Sequence, residues 1–548
     1  MVDQNSQVPR RQLPGWSMAA LLIALVVLAP VVSVIWIALT PVENIWPHLM
    51  ATVMPRYMTT TLILMLGVGG LTAVIGTGTA WLVSLYRFPG RGWLDWAMLF
   101  PLAIPAYVGA YALVDFLDYA GPLQSALRAA FGWSSARDYW FFEVRSIVPC
   151  MLVLSGALYP YVYLLARAAF RETSAAAHEV GRSLGCGPWA LFLRVGLPMA
   201  RPAIATGVAL AMMETVADYG TVQYFGVQTL TTGIFSTWLN GGNAGGAAQI
   251  AGVVLLLIGV LVGMERINRR NARFYGLGRA ARPVQPVWLR GWRGWVATLV
   301  CIIPLAFGFV MPVAMMAWHA LRNPQVWADP GLFKAMGGTL MVAGTAAVLT
   351  VGAALVMVYA LRLAGRGLAR VVLPLTVLGY AAPGAVLALG LLIPLAALDH
   401  RVADAVLAVT GHDPGLLLTG TAAAIVLAYV VRFFGIAQGA LDSAFGRVPP
   451  SLPMAARSLG RTPGGVLRAV YLPLMRGSVM TALLMVFVDC VKELPATLLL
   501  RPFNFNTLAT RVFEKASLEQ LGQAAPAALV VIAVGLLAVA ALARASRA

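Results

Sequence analysis

Apolar runs of about twenty residues recur along the whole chain, separated by shorter polar or glycine-rich segments. This is the length that an α-helix needs to cross the hydrocarbon core of a bilayer. Because lipid offers the backbone no hydrogen-bonding partner, helices are the expected spanning elements. The pattern predicts an all-α polytopic membrane protein with about twelve spans. Their approximate positions are 17–40, 59–85, 93–117, 147–169, 200–224, 246–264, 295–319, 336–361, 370–397, 414–440, 475–500 and 524–543.

Composition supports this fold class. Of the 548 residues, 60% are hydrophobic and only 11% are charged. The first apolar run is too long for the core of a signal peptide, so we expect it to be a retained span. The four cysteines, Cys150, Cys186, Cys301 and Cys490, have no paired spacing. They predict neither a disulfide framework nor a zinc site.

The formal net charge is +18, which raises nucleic acid as a partner, but the distribution of the charge points to a membrane. Eight arginines and one glutamate lie between Glu265 and Arg293, whereas residues 225–249 carry no charge. Loops with an excess of arginine stay in the cytoplasm under the positive-inside rule. We therefore expect no nucleic-acid partner, and we expect both termini and this basic segment to be cytoplasmic.

One polar segment occurs twice at an offset of 275 residues, half of the chain length. The first repeated loop, residues 179–201, reads EVGRSLGCGPWALFLRVGLPMAR, and the second repeated loop, residues 454–476, reads MAARSLGRTPGGVLRAVYLPLMR. Nine positions are identical, including the Arg-Ser-Leu-Gly run and the Leu-Pro pair. The chain is therefore predicted to be a duplication, with a first repeat at 1–264, a basic cytoplasmic linker at 265–294 and a second repeat at 295–548.

Each repeat contains six predicted spans, an even number, so the two repeats should have parallel topology. They should pack as a pseudo-dimer about an axis along the membrane normal, with a pathway between the halves. In each repeated loop, a glycine permits the left-handed turn that ends a short helix. A second short helix follows, and Leu-Pro leads into the next span. A connector needs only a few residues, so two long loops in matched register suggest docking sites for two copies of one partner.

The repeated loops resemble the EAA loop of permease subunits of binding-protein-dependent ABC importers. That pattern requires a glycine at a fixed distance before Leu-Pro, and both loops meet it. The glutamate that opens the pattern is present in the first loop, but Met454 stands there in the second. The matching residues are Glu179, Gly181, Arg182, Gly185, Leu197 and Pro198 in the first loop, and Ala455, Ala456, Arg457, Gly460, Leu472 and Pro473 in the second.

The resemblance implies a type I importer permease in the bacterial inner membrane, whose loops couple to two copies of a cytoplasmic ATP-binding subunit. It also implies a periplasmic substrate-binding protein. No Walker-type phosphate loop occurs in this sequence, so ATP and magnesium are expected in the partner subunits and no cofactor is expected in this chain. Nor does the sequence contain a recognisable catalytic arrangement, so we expect a transport subunit and not an enzyme.

Charged residues occur inside the predicted span that follows each repeated loop. At the offset of 275, Glu214 corresponds to Asp489 and Asp218 to Glu493. Each pair has i, i+4 spacing, which predicts that both acids face one side of a helix. Buried ionisable groups are costly in a membrane and are functional candidates. Two interpretations stay open: an ion-pair network, in which Lys492 neutralises Glu493 or an acid of the other half, and an acidic surface along the pathway.

Oxygen ligands suit a hard cation, and the predicted pathway offers them from Glu214, Asp218, Tyr219, Asp489 and Glu493, accompanied by Lys492 and Arg501. Pro495 is expected to break its helix just past the charges. The five histidines are scattered, so tight metal binding is not expected.

Two windows narrow the resemblance. ADYGTVQYFGVQTLTTGIF and KELPATLLLRPFNFNTLATR resemble permeases of ferric iron importers with both halves fused in one chain. The resemblance implies ferric iron as substrate, and thiamine, a polyamine or an aminophosphonate are alternatives within the same class. The alternative class is a proton- or sodium-coupled secondary transporter, which would not need the repeated loops. The outward segment 120–145 is a candidate contact for the binding protein.

Overall fold

The computed structural model describes residues 14–172, 180–181, 183–272, 286–364, 372–376, 379 and 382–545. In this part of the chain, eleven helices are long and apolar enough to cross a membrane. A bent pair, Arg91–Ala103 with Ala106–Phe131, makes the twelfth if it is counted as one span. The predicted all-α polytopic fold, with its span number, is confirmed.

Helices follow one another with short connections. Up to Ala272 they are Pro14–Leu39, Trp46–Thr52, Met54–Leu85, Arg91–Ala97, Phe100–Ala103, Ala106–Leu117, Pro122–Phe131, Ile147–Glu172, Pro188–Leu191, Phe192–Gly196, Leu197–Ala217, Gly220–Tyr224, Leu230–Phe235, Ser236–Asn240 and Ala244–Ala272. From Trp292 onward they are Trp292–Leu305, Ala306–Val310, Met311–Arg322, Pro324–Ala328, Pro330–Ala364, Gly384–Thr410, Ala422–Arg447, Ser451–Ser458, Pro463–Val466, Leu467–Tyr471, Leu472–Lys492, Pro495–Leu500, Leu508–Ser517 and Leu521–Ala545. Two short strands, Tyr86–Arg87 and Val287–Trp288, pair in parallel.

Contacts divide the chain into two compact units. Unit 1 comprises Met1–Glu43, Asn243–Gln249 and Phe333–Thr510; unit 2 comprises Asn44–Gly242, Ile250–Leu332 and Arg511–Ala548. These boundaries cross those of the predicted repeats, because the first and last spans each pack among helices of the other half. The repeat boundaries themselves stay a prediction.

Glycine lets the first span and the last span pack closely against neighbouring helices. In unit 1, a Cβ at Gly390 would overlap the carbonyl oxygen of Pro30, which lies on the first span. In unit 2, a Cβ at Gly535, on the last span, would overlap the carbonyl oxygen of Ala103. Small residues of this kind let membrane helices approach each other closely without a hydrophobic driving force.

The two halves build the same local contact. In unit 2, the Leu230 amide donates to the Thr61 hydroxyl over 3.0 Å. In unit 1, the Leu508 amide donates to the Thr339 hydroxyl over 2.7 Å. Both pairs have the same sequence separation, 169 residues, so the duplication read from the loops extends to buried hydrogen bonds elsewhere.

Both repeated loops run directly into the following span. A π-helical turn, Phe192–Gly196 in one half and Leu467–Tyr471 in the other, precedes each Leu-Pro pair. Proline has no amide hydrogen, so one hydrogen bond of the helix is missing at this point. The π turn accommodates the missing bond, and the helix continues through it. The second helix of each loop is therefore the start of a continuous helix, Pro188–Ala217 or Pro463–Lys492, and not a separate short helix as the sequence suggested.

Candidate functional site

The second repeated loop opens with the helix Ser451–Ser458, which ends in a glycine turn. Gly460 has a φ of 81°, in the left-handed region that side chains avoid. Its amide donates to the Arg457 carbonyl over 2.9 Å, and the next amide, that of Arg461, donates to the Ala456 carbonyl over 3.1 Å. These bonds satisfy carbonyls that the helix end would leave without partners. The predicted glycine stop is confirmed.

In the first repeated loop, the structure describes Val180, Gly181 and the residues from Ser183 onward, whereas Glu179 and Arg182 lie outside the described residues. Gly185 has a φ of 78°, and the Cys186 amide donates to the Gly181 carbonyl over 3.0 Å. Gly181 is buried, and a Cβ there would lie 2.8 Å from Leu191 Cδ1. This glycine is needed for close packing inside the loop.

Large apolar side chains on both loops point away from the units that carry them. Leu184 is 78% exposed in the first loop, and Leu459, its equivalent at the offset of 275, is 84% exposed in the second. Trp189 and Met454 are also exposed. Ala455 and Arg457 share this exposure, whereas Ala456 is half-buried. Such clusters mark interaction sites when they lie beside polar residues.

An aromatic cluster fixes the first loop to its spans. Trp81 lies 5.2 Å from Phe170 and 5.1 Å from Phe192, measured between ring centroids. A Cβ at Gly196 would overlap the Trp81 indole, so glycine is required where the loop crosses this ring. This cluster was not predicted from the sequence, although large aromatic residues near span ends were a signal for it.

A similar aromatic cluster holds the second loop in unit 1. The centroid of Tyr471 lies 5.5 Å from Tyr359 and 4.9 Å from Phe445. The Tyr359 hydroxyl also donates to the carbonyl oxygen of Pro463 over 2.7 Å. The loop and the rings therefore form one packed cluster that fixes the loop to its spans.

Helix geometry at the first acidic pair differs from the prediction. Glu214 lies on Leu197–Ala217 and is half-buried, but the helix ends before Asp218, whose backbone is extended. Asp218 accepts hydrogen bonds from the amides of Thr221 and Val222, at 2.9 and 3.2 Å, and from the Thr221 hydroxyl at 3.0 Å. The prediction that both acids share one helix face is wrong here, since Asp218 caps the next short helix instead.

The second acidic pair repeats this break. Glu493 follows the last residue of Leu472–Lys492, and its carboxylate accepts a hydrogen bond from the Ala496 amide over 3.1 Å. Pro495 occupies the first turn of the short helix that follows. The chain therefore leaves the helix at Glu493, two residues before the proline that was expected to break it.

Both acids of the second half have a cationic partner. Arg432 Nε lies 3.1 Å from Glu493 Oε2, and Lys492 Nζ lies 3.0 Å from Asp489 Oδ1. Lys492, at the end of its helix, pairs one turn back with Asp489, and the expectation that it neutralises Glu493 or an acid of the other half stays a prediction. Arg432 comes from another span, Ala422–Arg447, and sequence spacing does not indicate it.

The other predicted pathway residues have aromatic or amide partners. Tyr219 stacks on Phe235, with ring centroids 3.6 Å apart and an interplanar angle of 16°. The Arg501 guanidinium donates to the side-chain oxygen of Asn506. In the described part of the chain, no group of three or more His, Cys, Asp or Glu side chains could hold a metal ion.

A known transport permease resembles this chain over most of its length. Residues 72–273 match the family described as binding-protein-dependent transport system inner membrane component. The Fe(3+)-transport system permease protein FbpB 2 of Haemophilus influenzae is 27% identical over 486 residues, which cover 87% of this chain and 88% of that protein. The chain is therefore similar, over both of its halves, to a fused permease of the type I ABC importer class. This result sets aside a proton- or sodium-coupled transporter.

Shorter relatives align with part of this permease. The probable sulfate transport system permease protein cysT of Nephroselmis olivacea is 29% identical over 38% of this chain and 72% of its own length. The molybdenum transport system permease protein ModB of Escherichia coli K12 is 27% identical over 35% of this chain and 85% of its own length. About one half of the fused permease thus has the length of these proteins, as expected for a chain that joins two permease repeats.

Proposed function

We propose that this inner-membrane permease forms the pathway through which ferric iron, delivered by a periplasmic binding protein, enters the cytoplasm. The observation that carries the proposal is the likeness to an Fe(3+) permease over both halves of the chain. The chemistry of the spans agrees with it, since Asp218 and Tyr219 offer the oxygen atoms that a hard cation prefers. ATP and magnesium are bound by partner subunits.

We propose that each repeated loop docks one copy of a cytoplasmic ATPase subunit. The exposed Leu184 and Leu459 supply apolar anchors of the kind that fill pockets in a partner. Gly185 and Gly460 shape the turn that presents these anchors. The continuous helices beyond the loops then carry the movement to Glu214 and Asp489. By the positive-inside rule the loops, the basic linker and both termini are cytoplasmic.

Among the acids, those of the first half are proposed to contact the passing cation. In the second half, Arg432 and Lys492 already compensate the two carboxylates. At the offset of 275, the first half has Ala157 and Ala217 at the positions of these two cations. Asp218 is oriented by amide and hydroxyl donors, and an oriented carboxylate of this kind can serve as an oxygen ligand of the cation.

The outward segment 120–145 is proposed as a contact for the binding protein. It contains the helix Pro122–Phe131 and a stack of rings: Trp133 lies 4.7 Å from both Phe131 and Tyr139. Phe131 is exposed, and Trp133 and Tyr139 are half-buried. Rigid aromatic residues are common in protein interfaces because they lose little conformational entropy on binding.

An oxyanion is the second candidate substrate. Lys492 and Arg501 are cations near the broken helix of the second half, and relatives of one half are named as sulfate and molybdenum permeases. Arginine and lysine are the usual partners of such anions. Thiamine, a polyamine and an aminophosphonate stay alternatives within the importer class.

Uptake assays test the substrate. Cells that lack this permease are compared with restored cells for uptake of radiolabelled ferric iron, molybdate and sulfate. We expect restoration to increase the uptake of iron alone. Increased uptake of an oxyanion with unchanged iron uptake would contradict the iron proposal and support the second candidate.

Charge variants test the pathway. We expect Glu214→Gln with Asp218→Asn to lower iron uptake at least about tenfold, since each removes a charge that attracts the cation in a medium of low dielectric constant. Lys492→Gln should leave iron uptake within about threefold, and it is the matched control because an oxyanion importer would need this cation. Protein in the membrane is measured by immunoblot. A larger loss of iron uptake in Lys492→Gln than in the acid variant would reverse the assignment.

A further inference from the structure

A surface rich in tryptophan and arginine lies where the linker rejoins the membrane, in unit 2. The parallel pair of strands joins Tyr86–Arg87 to Val287–Trp288, and the Leu289 amide donates to the Arg87 carbonyl over 2.9 Å. We call the following residues the tryptophan–arginine surface: Arg87, Trp288, Arg290, Trp292, Arg293 and Trp295.

The backbone under this surface is held firmly. The Thr298 hydroxyl donates to the Pro89 carbonyl over 2.7 Å, and Gly294 packs against both Pro89 and the Leu289 carbonyl. The three indoles nevertheless remain open, at 63%, 71% and 65% exposure for Trp288, Trp292 and Trp295. A fixed backbone that presents exposed indoles indicates a partner outside this unit.

Charge at this surface is positive and uncompensated by acids. Arg87 lies over the Trp288 ring, 5.6 Å from its centroid. Arg290 and Arg293 are exposed, and neither of them nor Arg87 forms an ion pair with an acid of the described chain. The surface therefore suits a ligand that carries negative charge.

The neighbouring side chains indicate lipid. Beyond Trp295, the exposed face of Trp292–Leu305 continues with Leu299 and Ile303, both open and aliphatic. Tryptophan is enriched where a span leaves the hydrocarbon, so the indoles lie at the membrane boundary and the guanidinium groups at the level of the phosphates. A protein partner would not need this aliphatic continuation.

The same end of unit 2 carries the first repeated loop. Trp81, near the end of Met54–Leu85, contacts Phe192 of that loop, and Arg87 follows the same helix by two residues. The membrane side of the tryptophan–arginine surface therefore rests on the proposed function. If the loop docks a cytoplasmic ATPase, this surface faces the cytoplasmic leaflet, which carries anionic lipids.

We propose that the tryptophan–arginine surface is a binding site for the headgroup of an anionic phospholipid of the cytoplasmic leaflet. The phosphodiester lies among Arg87, Arg290 and Arg293, and the acyl chains follow the aliphatic face of the span. The lipid would hold the end of the linker against the loop after Met54–Leu85.

Native mass spectrometry of the purified full chain tests the site, with dioleoyl phosphatidylglycerol and dioleoyl phosphatidylcholine as probes. We expect phosphatidylglycerol to bind more tightly than phosphatidylcholine. Its affinity should fall about fivefold for each arginine neutralised, and hence about a hundredfold in the triple variant Arg87→Gln, Arg290→Gln and Arg293→Gln. The triple arginine-to-lysine variant keeps the charge and should keep most of the affinity. Millimolar inorganic phosphate should not displace the lipid.

Arg322→Gln is the matched control, because Arg322 also lies over an indole, 3.9 Å from the Trp318 centroid, at the far end of the same span, Trp292–Arg322. It should leave phosphatidylglycerol affinity unchanged. Equal binding of the two lipids, or wild-type affinity in the triple variant, would overturn the proposal. If the triple variant fails to insert, Arg293→Gln alone should show the fivefold loss.

The lipid proposal can be tested independently of the transport proposal, because lipid binding is measured without ATPase or substrate. A membrane-impermeant maleimide applied to intact cells tests the side in Arg290→Cys. Labelling from outside would overturn the cytoplasmic assignment, whereas protection until the cells are lysed would support it.

Discussion

Replacing both Gly185 and Gly460 by aspartate is expected to abolish ATP-driven uptake while the permease still inserts in the membrane. Both residues have a positive φ, 78° and 81°, and a Cβ at either would meet no described atom within 4 Å. The added Cβ therefore overlaps no atom of the described residues. It strains the turn by about 1–2 kcal/mol per loop and places a charge beside the apolar anchors Leu184 and Leu459, which a partner would have to desolvate.

Three measurements separate docking from folding in this variant: iron uptake, the amount of permease in the membrane, and ATPase subunit that co-purifies in mild detergent. Gly411→Asp is the matched control. Gly411 also has a positive φ, 70°, with open space around its Cβ, but it ends the helix Gly384–Thr410, away from both repeated loops in the sequence. Near-normal uptake in Gly411→Asp with lost uptake in the double variant would assign the effect to docking. Normal uptake in the double variant would contradict the docking proposal.

The lengths and order of the spans could be predicted because hydropathy reports them directly. The run at 59–85 became Met54–Leu85, and the run at 246–264 lies within Ala244–Ala272. The helix breaks at Asp218 and Glu493 could not be predicted in this way. Apolar residues on both sides continue the hydropathy signal of one span, and the breaks arise because each carboxylate caps the short helix that follows it.

The glycines that end the short helices of the loops could be predicted, because few residues tolerate a positive φ. The partners of the buried acids could not be predicted, because they depend on packing between spans. Lys492 precedes Glu493 in sequence, but the helix ends between them, and Arg432 reaches Glu493 from a different span. The packing of the first span on Gly384–Thr410, beside Gly390, is likewise a long-range contact that no local pattern encodes.

Arg432→Gln is expected to destabilise the permease strongly. The Arg432–Glu493 pair is buried, with side-chain exposures of 12% and 4%. Removing one member of a buried pair leaves an uncompensated charge and costs about 3–5 kcal/mol. In detergent, this should appear as a large drop in the melting temperature. Size-exclusion chromatography after heating measures that drop. Arg362→Gln is the control: it breaks the exposed pair with Asp442, which is worth about 0–1 kcal/mol.

The double variant Arg432→Gln with Glu493→Gln decides between charge and packing. If the cost comes from the unpaired carboxylate, removing both charges should restore most of the melting temperature, because buried pairs contribute little beyond their mutual compensation. The glutamine can still accept the hydrogen bond from the Ala496 amide that begins the short helix. Equal melting temperatures for Arg432→Gln and Arg362→Gln would contradict a buried pair. A double variant as unstable as Arg432→Gln would instead assign the loss to the packing of the arginine against its neighbours.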